Sequence, residues 1–414
     1  MGGVVAAGHK QTAAAAAEML NQGGNAFDAA VAGVFASCVA ESVLTSLAGG
    51  GFLLAHTGVG QHSLFDFFTQ TPISKALSHP LDFYPIEADF GDTVQEFHVG
   101  LGSTAVPGVL QGLAQVHRRL GRLPLKCVVA PAIYLARRGV VVNDFLAYVY
   151  GLLKPILLAT AGSRAIYAPA GHLLRAGERL YMPRFANALE QLVCQGMESF
   201  WQEMSAQLAQ TQGGYLTEED FAGYQVIERS PLCLDYHGTQ LLTNPPPSAG
   251  GGLIACSLAL LADCELGNHG SPDHLSALSQ VMRLTNVARR DGYDARIHQP
   301  CVAEDFLSRG HLGQYQQELT AAIAQLLANR SSAKTINKLG STTHLSVIDS
   351  EGNAASVTTS NGEGSSYVIP GTDIMMNNML GEEDLNPHGF HQWSVNQRMS
   401  SMMAPTILLQ DGCP

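Results

Sequence analysis

A chain of 414 residues is long enough for a sizeable core and for two or three domains. Hydrophobic residues make up 46% and charged residues 14%, which excludes a disordered chain. The net charge of −12 argues against nucleic acid or an anionic membrane as a main partner, and no apolar run of about 18 residues offers a membrane span.

Met1-Gly2-Gly3-Val4-Val5 enters the first element at once, without the basic and apolar stretches of a secretory leader. Met1-Gly2 also begins a myristoylation signal, but Ala6 stands where that signal needs Ser or Thr. The eight cysteines show no paired spacing, so small buried thiols in a reducing compartment, the cytoplasm, are expected. Residues 11–20 and 26–41 carry alanine-rich helical patterns, broken by Gly23-Gly24-Asn25. Phe52–Ala55 and Leu64–Phe67 read as two strands joined by a glycine turn. From 107 to 225 the pattern is mostly helical. Leu232 to Leu242 alternates as a strand, and Pro245-Pro246-Pro247 with Gly250-Gly251-Gly252 is a hard break. Helices are expected over 251–265 and 273–290, an amphipathic segment over 315–328, and an exposed polar linker over 331–335.

After the linker come Thr342-Thr343-His344-Leu345-Ser346-Val347 and a threonine-rich strand ending Thr358-Thr359-Ser360. Threonine suits a half-buried pleated surface, so plain β-structure accounts for the local pattern. The same residues also suit a masked nucleophile. A threonine hydroxyl needs a base beside it, and its own α-amine becomes that base once the preceding bond is cut. Such an amine titrates near pH ~7.7–8.0 and is partly unprotonated at neutrality. The bond in question joins Ser341 to Thr342. Periodicity by itself supports no more than a generic α/β assignment.

Further segments stand out in order along the chain: Gly23-Gly24-Asn25-Ala26-Phe27-Asp28, Gly49-Gly50-Gly51-Phe52, Val106-Pro107-Gly108 and Leu135-Ala136-Arg137-Arg138-Gly139. Leu216-Thr217-Glu218-Glu219-Asp220-Phe221, Pro245-Pro246-Pro247-Ser248-Ala249-Gly250-Gly251, Thr342-Thr343-His344 and Arg398-Met399-Ser400-Ser401-Met402 follow. Taken together, this series resembles the γ-glutamyltransferase, or glutathione hydrolase, family of self-cleaving N-terminal-nucleophile hydrolases. The resemblance implies a four-layer αββα sandwich, here incomplete at the C-terminus. Residues 1–341 would be the large-subunit region of a precursor and 342–414 the start of the small-subunit region, together one αββα unit. It implies self-cleavage into a heterodimer of the chain's own two pieces, a small-molecule substrate such as glutathione or another γ-glutamyl amide, and no cofactor; His388 and His391 lack partners at metal-ligand spacing, so no metal is expected.

The same resemblance assigns roles. Thr342 is nucleophile and base, with Thr358 and Ser360 as its orienting hydroxyls. Ser400 and Ser401 match a serine pair that holds the donor's α-carboxylate, and Asn361 falls within a residue of a donor-binding amide. Glu382 and Asp384 are candidates for the donor's α-ammonium, a carboxylate being the natural partner of a cation. His344 is expected to be a packing residue facing away from Thr343. Two departures stand out. Phe68 occupies the position of an arginine that grips the donor carboxylate, which admits another acyl group, as in the related cephalosporin acylases. The chain also stops at Pro414, before a Gly-Gly turn that would supply oxyanion donors, which admits an inactive, truncated homologue.

Overall fold

In the computed structural model, residues 2–77, 79–89, 94–262, 264, 268–326 and 342–414 are described. Strand β1 (Gly3–Ala7) leads into helix α1 (Lys10–Asn21) and helix α2 (Ala26–Ala40). All fifteen residues of α2 are buried, which its uninterrupted alanine, valine and phenylalanine content permits on every side. Its start is set by a capping box: Asn25 accepts from the Phe27 and Asp28 amides, and the Asp28 carboxylate accepts the Asn25 amide. Asp28 also accepts the Arg122 and Leu123 amides, so one buried carboxylate ties the helix to a distant turn.

Strands β2 (Gly50–His56) and β3 (His62–Phe67) form the hairpin expected from the sequence, with both strands starting two residues earlier and β2 ending one residue later. A short strand β4 (Ile227–Arg229) pairs with β3. Beyond the linker, β7 (Thr343–Asp349) and β8 (Ala354–Ser360) complete a six-stranded antiparallel sheet in the order β1-β7-β8-β2-β3-β4. Every residue of β8 is buried, as befits a central strand covered on both faces, whereas β7 alternates between buried and more exposed positions. The buried side of β7 packs on α2, and the Asp349 carboxylate accepts the Ala26 amide at that helix's start (2.9 Å).

Close approach explains the triple glycine that opens β2. A Cβ on Gly51 would lie 2.5 Å from the Thr358 carbonyl oxygen and 2.8 Å from the Phe67 ring. Gly51→Ala is therefore expected to cost about 1–3 kcal/mol through overpacking, read as a lowered denaturation midpoint. An unchanged midpoint would show that the strands can separate to admit a methyl group.

Leu232 to Leu242, expected as one strand, is a hairpin of β5 (Leu232–Tyr236) and β6 (Thr239–Thr243). His237 and Gly238 both take positive φ (47° and 80°) at its tip, a two-residue turn whose twist matches the flanking strands. Strand β9 (Ile407–Leu409) pairs with β6. The helices expected nearby run Ala249–Leu261, Pro272–Ala288 and Arg309–Leu326, and they enclose a second apolar core. The polar linker and Ser341 lie outside the described residues.

Contacts divide the chain into two compact units, Met1–Arg229 with Ser341–Met399, and Ser230–Gly340 with Ser400–Pro414. Each unit draws on sequence from both sides of the 341/342 bond. Among the described residues no helix is long and apolar enough to cross a membrane, and no disulfide joins the eight cysteines. Only Cys38 and Cys256 are buried, however. Cys194, Cys233, Cys301 and Cys413 are exposed, which corrects the expectation that all eight pack as core residues.

Candidate active site

Thr342 is exposed and stands one residue before β7. The pairing of β7 with β8 begins at Thr343↔Thr359 and continues through His344↔Thr358. Thr342 itself lies outside the paired residues; the same register carried one step outward would set it across from Ser360. Facing residues of an antiparallel pair project to the same side, and alternate residues of a strand share a face. His344, Thr358 and Ser360 thus occupy one face and Thr343 and Thr359 the other, and continued alternation would put Thr342 with the first three.

On the first face the hydroxyl of Thr358 lies 2.7 Å from Nδ1 of His344, whose Nε2 is 3.0 Å from the Ser346 hydroxyl. Although His344 as a residue is exposed, partial desolvation of its ring holds the imidazole below its ordinary pKa, which favours the neutral form with one donor and one acceptor. His344 does face away from Thr343, as alternation requires. It nevertheless serves a hydroxyl of the candidate site and is more than packing. Ser360 accepts the Gly362 amide through its Oγ (3.0 Å).

The opposite face is held differently. Thr359 shares a hydrogen bond with Thr45 (2.8 Å), a structural pairing. Thr343 donates to Oε1 of Glu41 (2.8 Å), and Thr12 donates to Oε2 of the same carboxylate (2.6 Å). Burial raises the Glu41 pKa, while the two donated hydroxyls pull it back. A cleft of about 380 Å³ opens at this end of the sheet, lined by Thr342, Thr343, His344, His9, Glu41 and Phe145 among others.

Phe68 is 1% exposed and stacks on Phe52 with ring centroids 5.4 Å apart. Phe52 is the register partner of Thr358, and Gly50 that of Ser360. A Cβ on Gly50 would come 3.0 Å from the Phe68 ring, so that ring covers the sheet on the face of Thr358 and Ser360. The nearby guanidinium of Arg398 is already committed. It pairs with buried Asp66 and donates to the Phe68 and Gln225 carbonyls and to the Tyr224 hydroxyl. Asp66 in turn pairs with Arg229 (2.8 Å) and accepts the Phe68 amide (3.1 Å).

The turn after β8 gathers the acidic candidates. Gly362 and Gly364 adopt positive φ (64° and 84°), and the Asn378 side chain accepts the Glu363 and Gly364 amides between them. Asn361, 1% exposed, spends its Nδ2 on the Met375 and Met376 carbonyls, and its Oδ1 is buried. Of the acidic run, Glu382 alone turns inward, with Oε1 above Gly362 and out of solvent, whereas Glu383 and Asp384 are exposed. Burial, then the neighbouring Glu363 carboxylate, holds the Glu382 carboxyl well above the usual carboxylate range. Two such groups side by side resist double ionisation and favour holding a proton until a cation replaces it.

Ser400 and Ser401 fall in the second unit. There Ser401 is buried, accepts the Met403 amide through its hydroxyl, and receives the Ala249 amide and the Ser248 hydroxyl on its carbonyl. Among the described residues no three His, Cys, Asp or Glu side chains cluster as a metal site would require.

Glu41, His344 and the Asp66–Arg398 pair were not read from the sequence as site residues. Glu41 had a visible signal, a lone carboxylate closing a fifteen-residue apolar helix. Asp66 had none, because its partners come from residues 229 and 398.

A family model described as gamma-glutamyltranspeptidase matches residues 12–414. The Acylase ACY 1 proenzyme of Pseudomonas sp. (strain V22) is 31% identical over 99% of this chain and 75% of its own length. The glutathione hydrolase proenzyme of Escherichia coli (strain K12) is 30% identical over 95% of this chain and 71% of its own length. Among solved structures, cephalosporin acylase from Bacillus halodurans superposes with a TM-score of 0.79 at 26% identity, covering all of this chain and 76% of that one. Helicobacter pylori gamma-glutamyltranspeptidase gives 0.64 at 25% identity, over 75% of this chain and 90% of that one.

Proposed function

The chain belongs to the gamma-glutamyltranspeptidase family, and from that premise we propose that it is a proenzyme which cuts itself before Thr342 and then moves acyl groups from γ-glutamyl amides such as glutathione. Its mixed helix-and-sheet fold is the one shared by the N-terminal-nucleophile transpeptidases and cephalosporin acylases, as the sequence resemblance implied. The observation that supports the proposal is the register of β7 with β8, which sets Thr358 and Ser360 on one face and, carried one step outward, would bring Thr342 to that face.

In the precursor the Thr342 hydroxyl attacks the Ser341 carbonyl carbon. The C–N bond breaks, the nitrogen takes the hydroxyl proton, and an ester remains. Water opens that ester, leaving a carboxylate on Ser341 and a free amine on Thr342. In the mature enzyme this amine accepts the hydroxyl proton as Oγ attacks the donor amide. The leaving amine carries the proton away, and water or an acceptor amine then takes the acyl group. Thr358 and Ser360 orient the attacking oxygen, and neutral His344 fixes the direction of the Thr358 hydroxyl. Glu382, with its neighbour Glu363, suits the α-ammonium of a γ-glutamyl donor. Ser400 and Ser401 are assigned to its carboxylate by the sequence resemblance alone, Asp384 is an exposed acidic candidate, and Asn361 braces the turn.

A second reading, an amidase for another acyl group, is favoured by Phe68, which fills with an apolar ring the place expected of a carboxylate-binding arginine. Three p-nitroanilides separate the readings. The γ-glutamyl compound carries both charges, the glutaryl compound only the carboxylate, and the butyryl compound neither. Fastest turnover of the γ-glutamyl donor supports the first reading, and equal or faster turnover of the butyryl donor sinks it. Phe68→Arg is expected to raise kcat/KM for both carboxylated donors relative to the butyryl one by about 10–100-fold, the worth of a charge-assisted hydrogen bond.

A further inference from the structure

We infer that Glu41 is a positioning residue, which aims the nucleophile by gripping Thr343 from behind the sheet. The inference rests on the reading of Thr342 as the nucleophile. Glu41 is 4% exposed and caps the end of α2, where its backbone is fixed on both sides. Its amide donates to the Ser37 carbonyl, and its carbonyl accepts the Leu44 and Thr45 amides. The carboxylate therefore projects from a rigid base. It binds two hydroxyls, one from α1 through Thr12 and one from the first residue of β7 through Thr343.

Thr342 lies outside the ladder and is exposed, so its own side chain has little to anchor it. The peptide joining it to Thr343 is held from two directions instead. Pairing with Thr359 fixes the plane of the strand, and the bond to Glu41 fixes which way residue 343 faces. Because adjacent residues of a strand project oppositely, holding Thr343 toward α2 holds Thr342 toward Ser360 and the catalytic face. Glu41 and Thr342 also border the same cleft, so the grip acts within one residue of the chemistry. Misplacing a reacting atom by about 1 Å can cost about 10²-fold in rate. A single carboxylate–hydroxyl contact is thus enough to matter.

Self-cleavage of freshly refolded full chain, followed by denaturing gel and intact mass, tests this without knowledge of the donor. Thr343→Val keeps the shape of the side chain but loses the hydroxyl, and is expected to slow cleavage about 10²-fold, with Glu41→Ala doing the same. Thr343→Ser and Glu41→Gln, which retain the contact, are expected to stay within about fivefold, or ~1 kcal/mol, of the parent. Asn25→Ala serves as a stability control, because it loosens the other end of α2 without touching Glu41. Thr343→Val cleaving at the parental rate, or slowing no more than Asn25→Ala at an equal loss of melting temperature, overturns the inference. So does a failure of Thr343→Ser to restore the rate. Thr342→Ala run in parallel keeps the two ideas apart: cleavage persisting there refutes the nucleophile, whereas a block there with normal Thr343→Val refutes only the grip.

Discussion

Thr342→Ala is expected to leave the chain in one piece and to abolish turnover. Loss of an activated nucleophile costs on the order of 10⁶-fold in comparable hydrolases, beyond what the remaining hydroxyls can supply. Thr358 and Ser360 cannot substitute, because each sits within a strand and has no free α-amine to serve as base. Thr342→Ser keeps both hydroxyl and amine and should cleave, more slowly, at the same bond. Intact mass after incubation distinguishes the outcomes: two fragments divided between residues 341 and 342 for the parent and the serine variant, one species for alanine. A parent that never divides would favour a non-catalytic homologue. Division of the alanine variant at that bond would remove Thr342 from its role altogether.

Asp66→Ala is the second substitution with a large expected effect, here on stability. Asp66 is fully buried between Arg229 and Arg398, and its carboxylate also accepts the Phe68 amide. Taking away one member of a buried ion pair strands the other charge, at a cost of about 3–5 kcal/mol. Arg398, at 6% exposure, cannot recover that loss by turning to water. Chemical denaturation should show the full drop for Asp66→Ala and a smaller one for Arg229→Ala, since Arg229 is partly exposed. A loss below about 1 kcal/mol for Asp66→Ala would mean that water or rearrangement replaces the pair. The same carboxylate helps seat Phe68, so the anilide preference is expected to loosen in any Asp66 variant that still folds.

Much of the architecture was legible in the linear chain because its signals are local. The Gly-Gly-Asn break and the capping residues after it mark the start of α2, short apolar runs around a glycine turn mark β2 and β3, and the threonine-rich alternation of the sequence marks β8. Where a local pattern admitted two solutions, it misled. The segment from Leu232 to Leu242 alternates throughout, and the backbone turn at His237 and Gly238 splits it into a hairpin. The ribbon of Tyr84–Asp89 and Val94–Val99 was not foreseen either. Cysteine burial followed the faces of the elements that carry each thiol, and even spacing says nothing about faces.

For the site, order along the chain was enough to name Thr342, Thr358, Ser360 and the acidic turn as candidates. It also marked Phe68 as a departure, since a motif is a property of neighbours in sequence. Which of Glu382, Glu383 and Asp384 points inward depended on a left-handed glycine turn and on the carboxylate of Glu363. Pairings such as Glu41 with Thr343, separated by 302 positions, or Asp66 with Arg398, required the folded chain. Composition and short-range pattern determine which elements form and which residues can do chemistry, because backbone propensity and capping act over a few residues. Only the packed structure decides which side chains lose their water, and desolvation together with the partners it enforces gives Glu41, Phe68 and Glu382 their character.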